Sequence, residues 1–314
     1  MGKEENPKKT SGSCPPLRSF PLVFFYFSHC SIIPIFHYSF SFSYLCLVKG
    51  VKVLTSPFVI RTASYLGMFA AMLILEWLAP YARSEQKKGD RIIFHLGLSI
   101  GNSIALYLTM TWPLFASLSS TGNYHFGARH LLGIYGAWEI PVTVIAFDFW
   151  DYWMHLANHK IRFLWRFHQA HHSDMEIDVT TAARFHIGEL TLSGISKCLM
   201  ILVWGPSLWG LIAFDLCLNF ASQFHHSNLG IPLKIQDGLE KIIVTPRMHR
   251  CHHSLHQNCY DTNFSTILNV WDRLFKSYHW ATDALELVPI GLYKIRGPET
   301  MQLKPFLQTP FRKT

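Results

Sequence analysis

Residues 188–221, with the sequence GELTLSGISKCLMILVWGPSLWGLIAFDLCLNFA, form a mostly apolar run that Gly205 and Pro206 interrupt. Two helices that each cross the hydrocarbon core of a membrane would need about 40 residues, which is more than this run contains. A short helical hairpin that enters the membrane and returns fits the length better. Such a hairpin predicts that the chain before it and the chain after it lie on the same side of the membrane.

The composition of the chain favours a membrane protein. Hydrophobic residues make up 49% of the 314 residues and charged residues only 15%, against roughly 25% charged residues in an ordinary soluble protein. The formal net charge is +8, but the lysines and arginines are scattered between long apolar runs. We therefore interpret them as charges that flank membrane segments, and we expect no nucleic-acid partner. The seven cysteines include no C-x-x-C pair, so they indicate neither a disulfide framework nor a zinc ribbon.

Further apolar runs precede the hairpin. Residues 57–80, 92–119 and 131–150 are candidate membrane segments, and the Phe- and Ser-rich stretch 20–48 is an uncertain one. The loop 83–91 has a net positive charge, which predicts that it and the chain flanking the hairpin face the cytoplasm. The membrane would be the endoplasmic reticulum in a eukaryote or the inner membrane in a bacterium. The predicted organisation is an N-terminal tail at 1–55, transmembrane helices at 56–150, a histidine-rich region at 151–280 that includes the hairpin, and a C-terminal tail at 281–314.

Histidines are concentrated on both sides of the hairpin. The sequence HLANH places two histidines four residues apart, and the pattern H-x-x-H-H occurs before the hairpin in WRFHQAHHSD and after it in MHRCHHS. On a helix, these spacings put the imidazoles on one face, one turn apart. Neutral imidazoles that converge on one point bind a metal ion. The histidines of these three boxes are His155, His159, His168, His171, His172, His249, His252 and His253.

The number and kind of these residues limit the possible metal site. One ion takes about four to six ligands, so the three boxes predict two ions. The sequence lacks the H-E-x-x-H motif of zinc proteases, and it also lacks the Glu-x-x-His pairs of soluble di-iron bundles. Histidine ligation alone suits iron, zinc or copper, and the spacings do not choose between them.

The boxes and their flanking residues resemble the fatty acid hydroxylase/sterol desaturase superfamily, and they are most similar to its sterol desaturase-like branch. The resemblance rests on DFWDYWMH at 148–155, LWRFHQAHHS at 164–173 and TPRMHRCHHS at 245–254, with shorter matches in ARFHIGE, HHSN and TNFSTILNVWDRLF. It extends over residues 130–280. Departures at Ser265 and at Lys276-Ser277 concern the fit of the substrate more than the metal site.

The resemblance implies an all-α, multi-pass membrane helical bundle with a cytosol-facing, histidine-rich metal-binding cap. It also implies an oxidoreductase whose region 151–280 binds two iron ions and uses dioxygen and two electrons to hydroxylate or desaturate a lipid C–H bond. The lipid would be a sterol, a fatty acyl chain or a related molecule. The box histidines would be metal ligands and catalytic residues. His226 matches a further histidine of the family, and His186 is an additional candidate ligand.

Two aspartates, Asp148 and Asp151, lie on the same predicted helix face as His155. A carboxylate that accepts a hydrogen bond from the outer nitrogen of an imidazole fixes its tautomer, so we expect both to support the metal ligands. No electron-carrier motif is visible in the sequence, which predicts a separate electron donor of the cytochrome or ferredoxin type. Two other functions stay open, a zinc-bound membrane hydrolase and a non-catalytic protein that binds metal or lipid. Zinc could also occupy the site in a purified sample.

Overall fold

The computed structural model describes residues 57–256, 259, 261–279 and 289–312. The predicted N-terminal tail and the uncertain apolar segment at 20–48 lie outside these residues. Throughout the part of the chain that is described, regular secondary structure is helical and β-pairing is limited to isolated bridges. The all-α prediction is therefore confirmed.

The helices follow one another along the chain with short connections. Within the described ranges, the α-helices are α1 (Pro57–Leu78), α2 (Lys88–Asn123), α3 (Ala128–Leu131), α4 (Glu139–Lys160), α5 (Arg162–His172), α6 (Ile187–Trp204), α7 (Leu208–His225), α8 (Leu233–Leu239), α9 (Pro246–His252), α10 (Val270–Leu274) and α11 (Leu303–Leu307). Short 3-10 helices lie at Gly136–Trp138, Val179–Ala183, Pro298–Met301 and Thr309–Phe311.

Three described helical segments are long and apolar enough to cross a membrane, Val59–Leu78, Lys88–Leu131 and Ile187–Trp204. Large apolar side chains such as Trp77, Leu108 and Trp112 are exposed on them. Contiguous exposed apolar surface is typical of a protein that contacts lipid. The predicted segment 131–150 is not among the three, because much of it belongs to α4, which starts at Glu139 and carries further carboxylates.

The predicted hairpin is a pair of helices, α6 and α7, joined by a sharp corner. The C-terminal cap of α6 is Gly205, whose φ of 72° lies in the left-handed region. A Cβ at this position would lie 2.2 Å from the carbonyl oxygen of Phe126, so only glycine fits without strain. Ser207 then begins α7 as its N-cap and accepts a hydrogen bond from the N–H of Gly210 at 3.0 Å.

The carboxylate of Glu139, at the start of α4, fixes this corner. It accepts hydrogen bonds from the backbone N–H of Ser207 at 2.9 Å, from the Ser207 hydroxyl at 2.6 Å and from the Thr143 hydroxyl at 2.9 Å. Glu139 is buried, and a buried carboxylate is stable only when such donors replace water. The corner and α4 are therefore held together at the end of the bundle opposite the histidines.

The largest buried cluster of the described residues joins four helices, of which α4 carries the first histidine box. Leu114 of α2, Phe147 of α4, Ile201 of α6 and Leu211 of α7 are members of it and almost fully buried. In a membrane, such packing stabilises through close contact between side chains, since lipid is as apolar as the core. The cluster fixes α4, which carries the first box, relative to α2 and to the α6–α7 pair.

Residues 289–312 are folded, although the sequence predicted a tail at 281–314. They contain two 3-10 helices and α11, and Phe306 of α11 is buried against Ala170 of α5. The side-chain amide of Gln169 donates a hydrogen bond to the carbonyl of Thr309 at 2.6 Å. This segment therefore packs on the helix that carries the second histidine box.

Candidate metal centre

Nine histidines lie in two adjacent groups in the part of the chain that is described. In each group, the candidate ligand atoms lie within 4.8 Å of one another. The first group is His155, His159, His168, His172 and His252, and the second is His171, His226, His249 and His253.

Helical spacing explains why each box contributes to a group. His155 and His159 lie one turn apart near the C-terminal end of α4, and the second box forms the last turn of α5. The third box lies on α9, where the Thr245 side chain accepts a hydrogen bond from the Met248 N–H and Pro246 occupies the first turn. His226 directly follows α7. The α6–α7 pair thus returns the chain to the end from which it left.

The ligand-side nitrogens converge as expected for metal ligands. Neighbouring Nε2 atoms in the second group are 2.9 to 3.1 Å apart, for example between His226 and His249 and between His171 and His226. In the first group, His168 Nε2 lies 3.1 Å from His159 Nε2 and 3.2 Å from His172 Nε2. Adjacent ligands that each lie about 2.1 Å from one ion would have this spacing.

The outer nitrogens of several ligands are fixed by backbone carbonyls. Nδ1 of His155 donates to the carbonyl of Phe264 at 2.7 Å, and Nδ1 of His252 donates to Thr262 at 2.6 Å. Nδ1 of His171 donates to Arg184 at 3.0 Å. A proton on Nδ1 leaves Nε2 with its lone pair directed to the centre. Within the described residues, Nε2 of His252 is buried and has no hydrogen-bond partner, which fits a nitrogen that binds a metal ion.

Burial keeps these imidazoles neutral. Removal from water lowers the pKa of His226 to about 4 and that of His252 to about 3, and it lowers the pKa of His171 well below its ordinary value. The positive charge that each neighbouring histidine would carry lowers the pKa of His171 further. Only neutral imidazole binds a metal ion, so the nitrogens are ready to do so at neutral pH.

Asp148 and Asp151 support the ligands in a different way from the one predicted. Where the sequence predicted an aspartate beside Nδ1 of His155, the structure has the carbonyl of Phe264. Asp148 instead accepts hydrogen bonds from the backbone N–H groups of Ile267 and Leu268, both at 3.1 Å. The indole of Trp271 donates to Asp148 at 2.8 Å, and the Thr266 hydroxyl donates to Asp151 at 2.7 Å. The aspartates therefore position the loop between α9 and α10. The carbonyls of Thr262 and Phe264 in this loop orient His252 and His155.

Two carboxylates directly contact box histidines, since Asp261 Oδ1 lies 3.4 Å from Nδ1 of His159 and Glu189 contacts His168. Sequence analysis did not assign this role to Glu189. Nδ1 of His168 lies 2.6 Å from Oε1 of Glu189. Glu189 lies in the first turn of α6, and the sequence signal for it was the motif ARFHIGE at 183–189. Its position on a helix that starts next to the second box explains the contact.

Two further histidines lie beside the centre but outside both groups. His186 is the N-cap of α6, where its Nδ1 accepts a hydrogen bond from the Gly188 N–H at 2.9 Å and its Nε2 contacts the carbonyl of Leu307 at 3.2 Å. The structure therefore does not bring His186 to either group as a ligand. The ring of His225 lies beside that of His249, tilted by 40°, and its Nδ1 contacts the carbonyl of Thr266 at 3.2 Å.

Two cavities flank the histidines. One of about 300 Å³ touches both groups and extends between α1, α2, α6 and α7, where Tyr65, Asn102, Leu190 and Leu218 line it. The other, of about 430 Å³, is lined by His159, His172, His252 and His253 together with Trp165 and Lys294. The first cavity therefore connects the histidines with the helices that could cross a membrane.

Comparison with known proteins agrees with this geometry. Residues 140–277 match the family model for fatty acid hydroxylase. The chain is 28% identical over 254 residues to alkylglycerol monooxygenase of Danio rerio, covering 80% of this chain and 54% of the relative. It is 32% identical to the Xenopus tropicalis alkylglycerol monooxygenase, over 67% of this chain and 46% of the relative.

A bacterial relative is similar over a comparable part of the chain. Ornithine lipid hydroxylase OlsE of Rhizobium tropici is 26% identical over 68% of this chain and 66% of the relative. The chain spans about half the length of these two alkylglycerol monooxygenases. No solved structure matches. The matched region contains all three boxes and His226, and residues 140–277 form a domain of the fatty acid hydroxylase family.

Proposed function

We propose that the protein is a membrane-bound di-iron oxygenase that hydroxylates a C–H bond of a lipid. The observation that carries this proposal is the pair of adjacent histidine groups, which opens into a cavity between apolar helices. A buried, nearly all-imidazole pair of sites suits iron by ligand type. The named activities of the relatives, alkylglycerol monooxygenase and ornithine lipid hydroxylase, support a lipid substrate and insertion of one oxygen atom.

The overall reaction needs one dioxygen molecule, two electrons and two protons, and it yields the hydroxylated lipid and water. Two iron ions, when bound, would supply the activation of dioxygen. The protein's own residues hold the ions through nine imidazoles, exclude bulk water by burial, and orient the lipid chain in the cavity. We expect the electrons to come from a separate cytochrome- or ferredoxin-type donor.

The cavity also supports the lateral approach of the substrate. Its walls come from α1, α2 and α6, which are the described segments that could cross a membrane. A lipid in the bilayer could place its chain between these helices without leaving an apolar environment. The cytoplasmic orientation predicted from the loop 83–91 would place the histidines where a soluble or membrane-bound electron donor can reach them.

The direct test is to supply the anaerobically purified, iron-loaded protein with a reductant, dioxygen and a panel of membrane lipids. We expect products that are heavier by one oxygen atom, and loss of this product in His171→Ala. His256→Ala is the matched control, because His256 is exposed and outside both groups. Full zinc occupancy without dioxygen consumption would instead support a zinc-bound hydrolase.

A further inference from the structure

The two carboxylate oxygens of Glu189 have different surroundings. Oε1 contacts Nδ1 of His168 at 2.6 Å. Oε2 is buried and has no hydrogen-bond partner within the described residues, and the side chain as a whole is only 6% exposed. Burying a carboxylate oxygen without a hydrogen-bond donor is strongly unfavourable. We therefore expect a bound molecule to supply the donor.

The position of Glu189 indicates where that ligand lies. Glu189 lines the 300 Å³ cavity together with His168, and Ser193, one turn further along α6, lines it as well. Since Oε1 contacts His168, Oε2 is the oxygen of this cavity-lining side chain that has no hydrogen-bond partner within the described residues. Because Glu189 contacts a box histidine, a group that donates to Oε2 would lie close to the metal centre. If the molecule in the cavity is the substrate, this donor group lies near the carbon that reacts.

We propose that Oε2 of Glu189 accepts a hydrogen bond from a hydroxyl group of the lipid substrate, a few bonds from the carbon that is oxidised. This inference rests on the proposed function and narrows it to lipids that carry a free hydroxyl near the reacting carbon. Glu189 then has two tasks, since one oxygen orients His168 and the other selects the substrate. A plain hydrocarbon chain would leave Oε2 unpaired and would bind less tightly.

The chemistry of the site favours a hydroxyl group over an ammonium group. Both groups can donate to a carboxylate, but an ammonium group would bring a full positive charge next to two divalent metal ions. Repulsion in a buried site is much stronger than in water. A hydroxyl group satisfies the carboxylate oxygen without adding charge.

The test measures lipid binding to the metal-loaded protein in the absence of dioxygen, so that no turnover is needed. The probes are hexadecylglycerol, its dimethyl ether, and an analogue in which an ammonium group replaces the hydroxyls. We expect the wild-type protein to bind hexadecylglycerol about 10- to 100-fold more tightly than the dimethyl ether, as for a buried charged acceptor that loses its donor.

A conservative variant separates substrate recognition from the orientation of His168. In Glu189→Gln, one amide oxygen can still accept from His168, while the amide nitrogen donates equally to a hydroxyl or an ether oxygen. The preference for hexadecylglycerol should therefore fall to about threefold or less. Glu139→Gln is the matched control, because Glu139 is a buried glutamate at the distant α6–α7 corner, and it should keep the full preference.

Three results would overturn the inference: equal binding of the two neutral lipids by the wild-type protein, tighter binding of the ammonium analogue, or an unchanged preference in Glu189→Gln. The first two need no variant and stay decisive if Glu189→Gln does not fold. Failure of the proposed function has a different signature. The binding preference would be present, but the iron-loaded protein would oxidise no lipid.

Discussion

At the scale of single residues, the sequence predicted which histidines come together better than it predicted the partners of their outer nitrogens. The eight box histidines and His226 all lie in the two groups. Helical spacing puts the histidines of each box on one face of a helix, whereas His226 was found through the family resemblance. The partners of Nδ1 were not predictable. These partners are mostly backbone carbonyls, as for His155 and His252. Because every residue has a backbone carbonyl, the sequence does not show which residue will supply one.

The adjacent pair His225 and His226 gives a test of the ligand assignment. His226 belongs to the second group, whereas His225 lies outside both groups. We expect His226→Ala to lower the iron content from about two ions per chain toward about one, since the first group keeps all its ligands. His225→Ala should retain both ions. Metal analysis of the two purified variants checks this, and equal losses would refute the assignment.

The metal-free protein should lose stability in mild acid. Burial lowers the pKa of His226 to about 4, against about 6.5 in an unfolded chain. Between these values the unfolded chain binds more protons, so the free energy of unfolding falls as the pH drops below about 6.5 and is fully retained above it. Thermal unfolding of chelator-treated protein in detergent should show a melting temperature several degrees lower at pH 5 than at pH 7. An unchanged melting temperature would contradict the burial of neutral histidines.

At the scale of elements, two carboxylates hold the loop that follows the third box. One comes from α4 and the other from α10, the helix that follows the loop. Asp148 of α4 accepts two hydrogen bonds from the backbone of this loop and a third from the indole of Trp271 in α10. Asp272 accepts hydrogen bonds from the backbone N–H groups of Phe264 and Ser265 at 2.8 and 2.9 Å. The carbonyl of Phe264 in turn orients His155. The sequence placed Asp148 near the site, but contacts across more than 100 residues depend on the tertiary fold.

This arrangement makes Asp148 a positioning residue for the metal centre. Asp148→Asn keeps one acceptor oxygen but loses the second, so the loop and the Phe264 carbonyl should shift. We expect iron affinity to fall about tenfold, the lower end of the range for outer partners of metal ligands. Asp151→Asn should have a smaller effect, since Asp151 bonds one loop hydroxyl. Competition with a chelator measures both, and unchanged affinity in Asp148→Asn would contradict this role.

A substitution at the corner between α6 and α7 tests how closely the chain approaches Phe126 there. Gly205→Ala places a methyl group 2.2 Å from the carbonyl of Phe126, at a φ of 72°. We expect a loss of stability of about 2 kcal/mol or more from backbone strain and displaced neighbours. Gly101→Ala is the matched control, because a Cβ at Gly101 meets nothing within 4 Å. Thermal unfolding in detergent compares the two, and similar melting temperatures would contradict the close approach at the corner.

At the scale of the whole molecule, buried charges join helices that the sequence could not pair. Arg61 of α1 forms an ion pair with Asp215 of α7 at 2.7 Å, and Lys197 of α6 also contacts Asp215. Charges inside apolar helices are stable only when paired in this way. Composition and run length predicted the helical membrane fold and the return of the hairpin. They could not predict the folded C-terminal segment 289–312, which lacks a strong periodic pattern and depends on packing against α5.

The central claim is that two adjacent histidine groups hold a pair of iron ions. Mössbauer spectroscopy of the full chain, purified anaerobically and reconstituted with isotopically enriched iron, tests it most directly. After oxidation, the account predicts about two iron ions per chain that are magnetically coupled, as for ions in neighbouring groups that share one cavity. A spectrum of isolated, uncoupled iron, or a site that takes up a single ion, would contradict it.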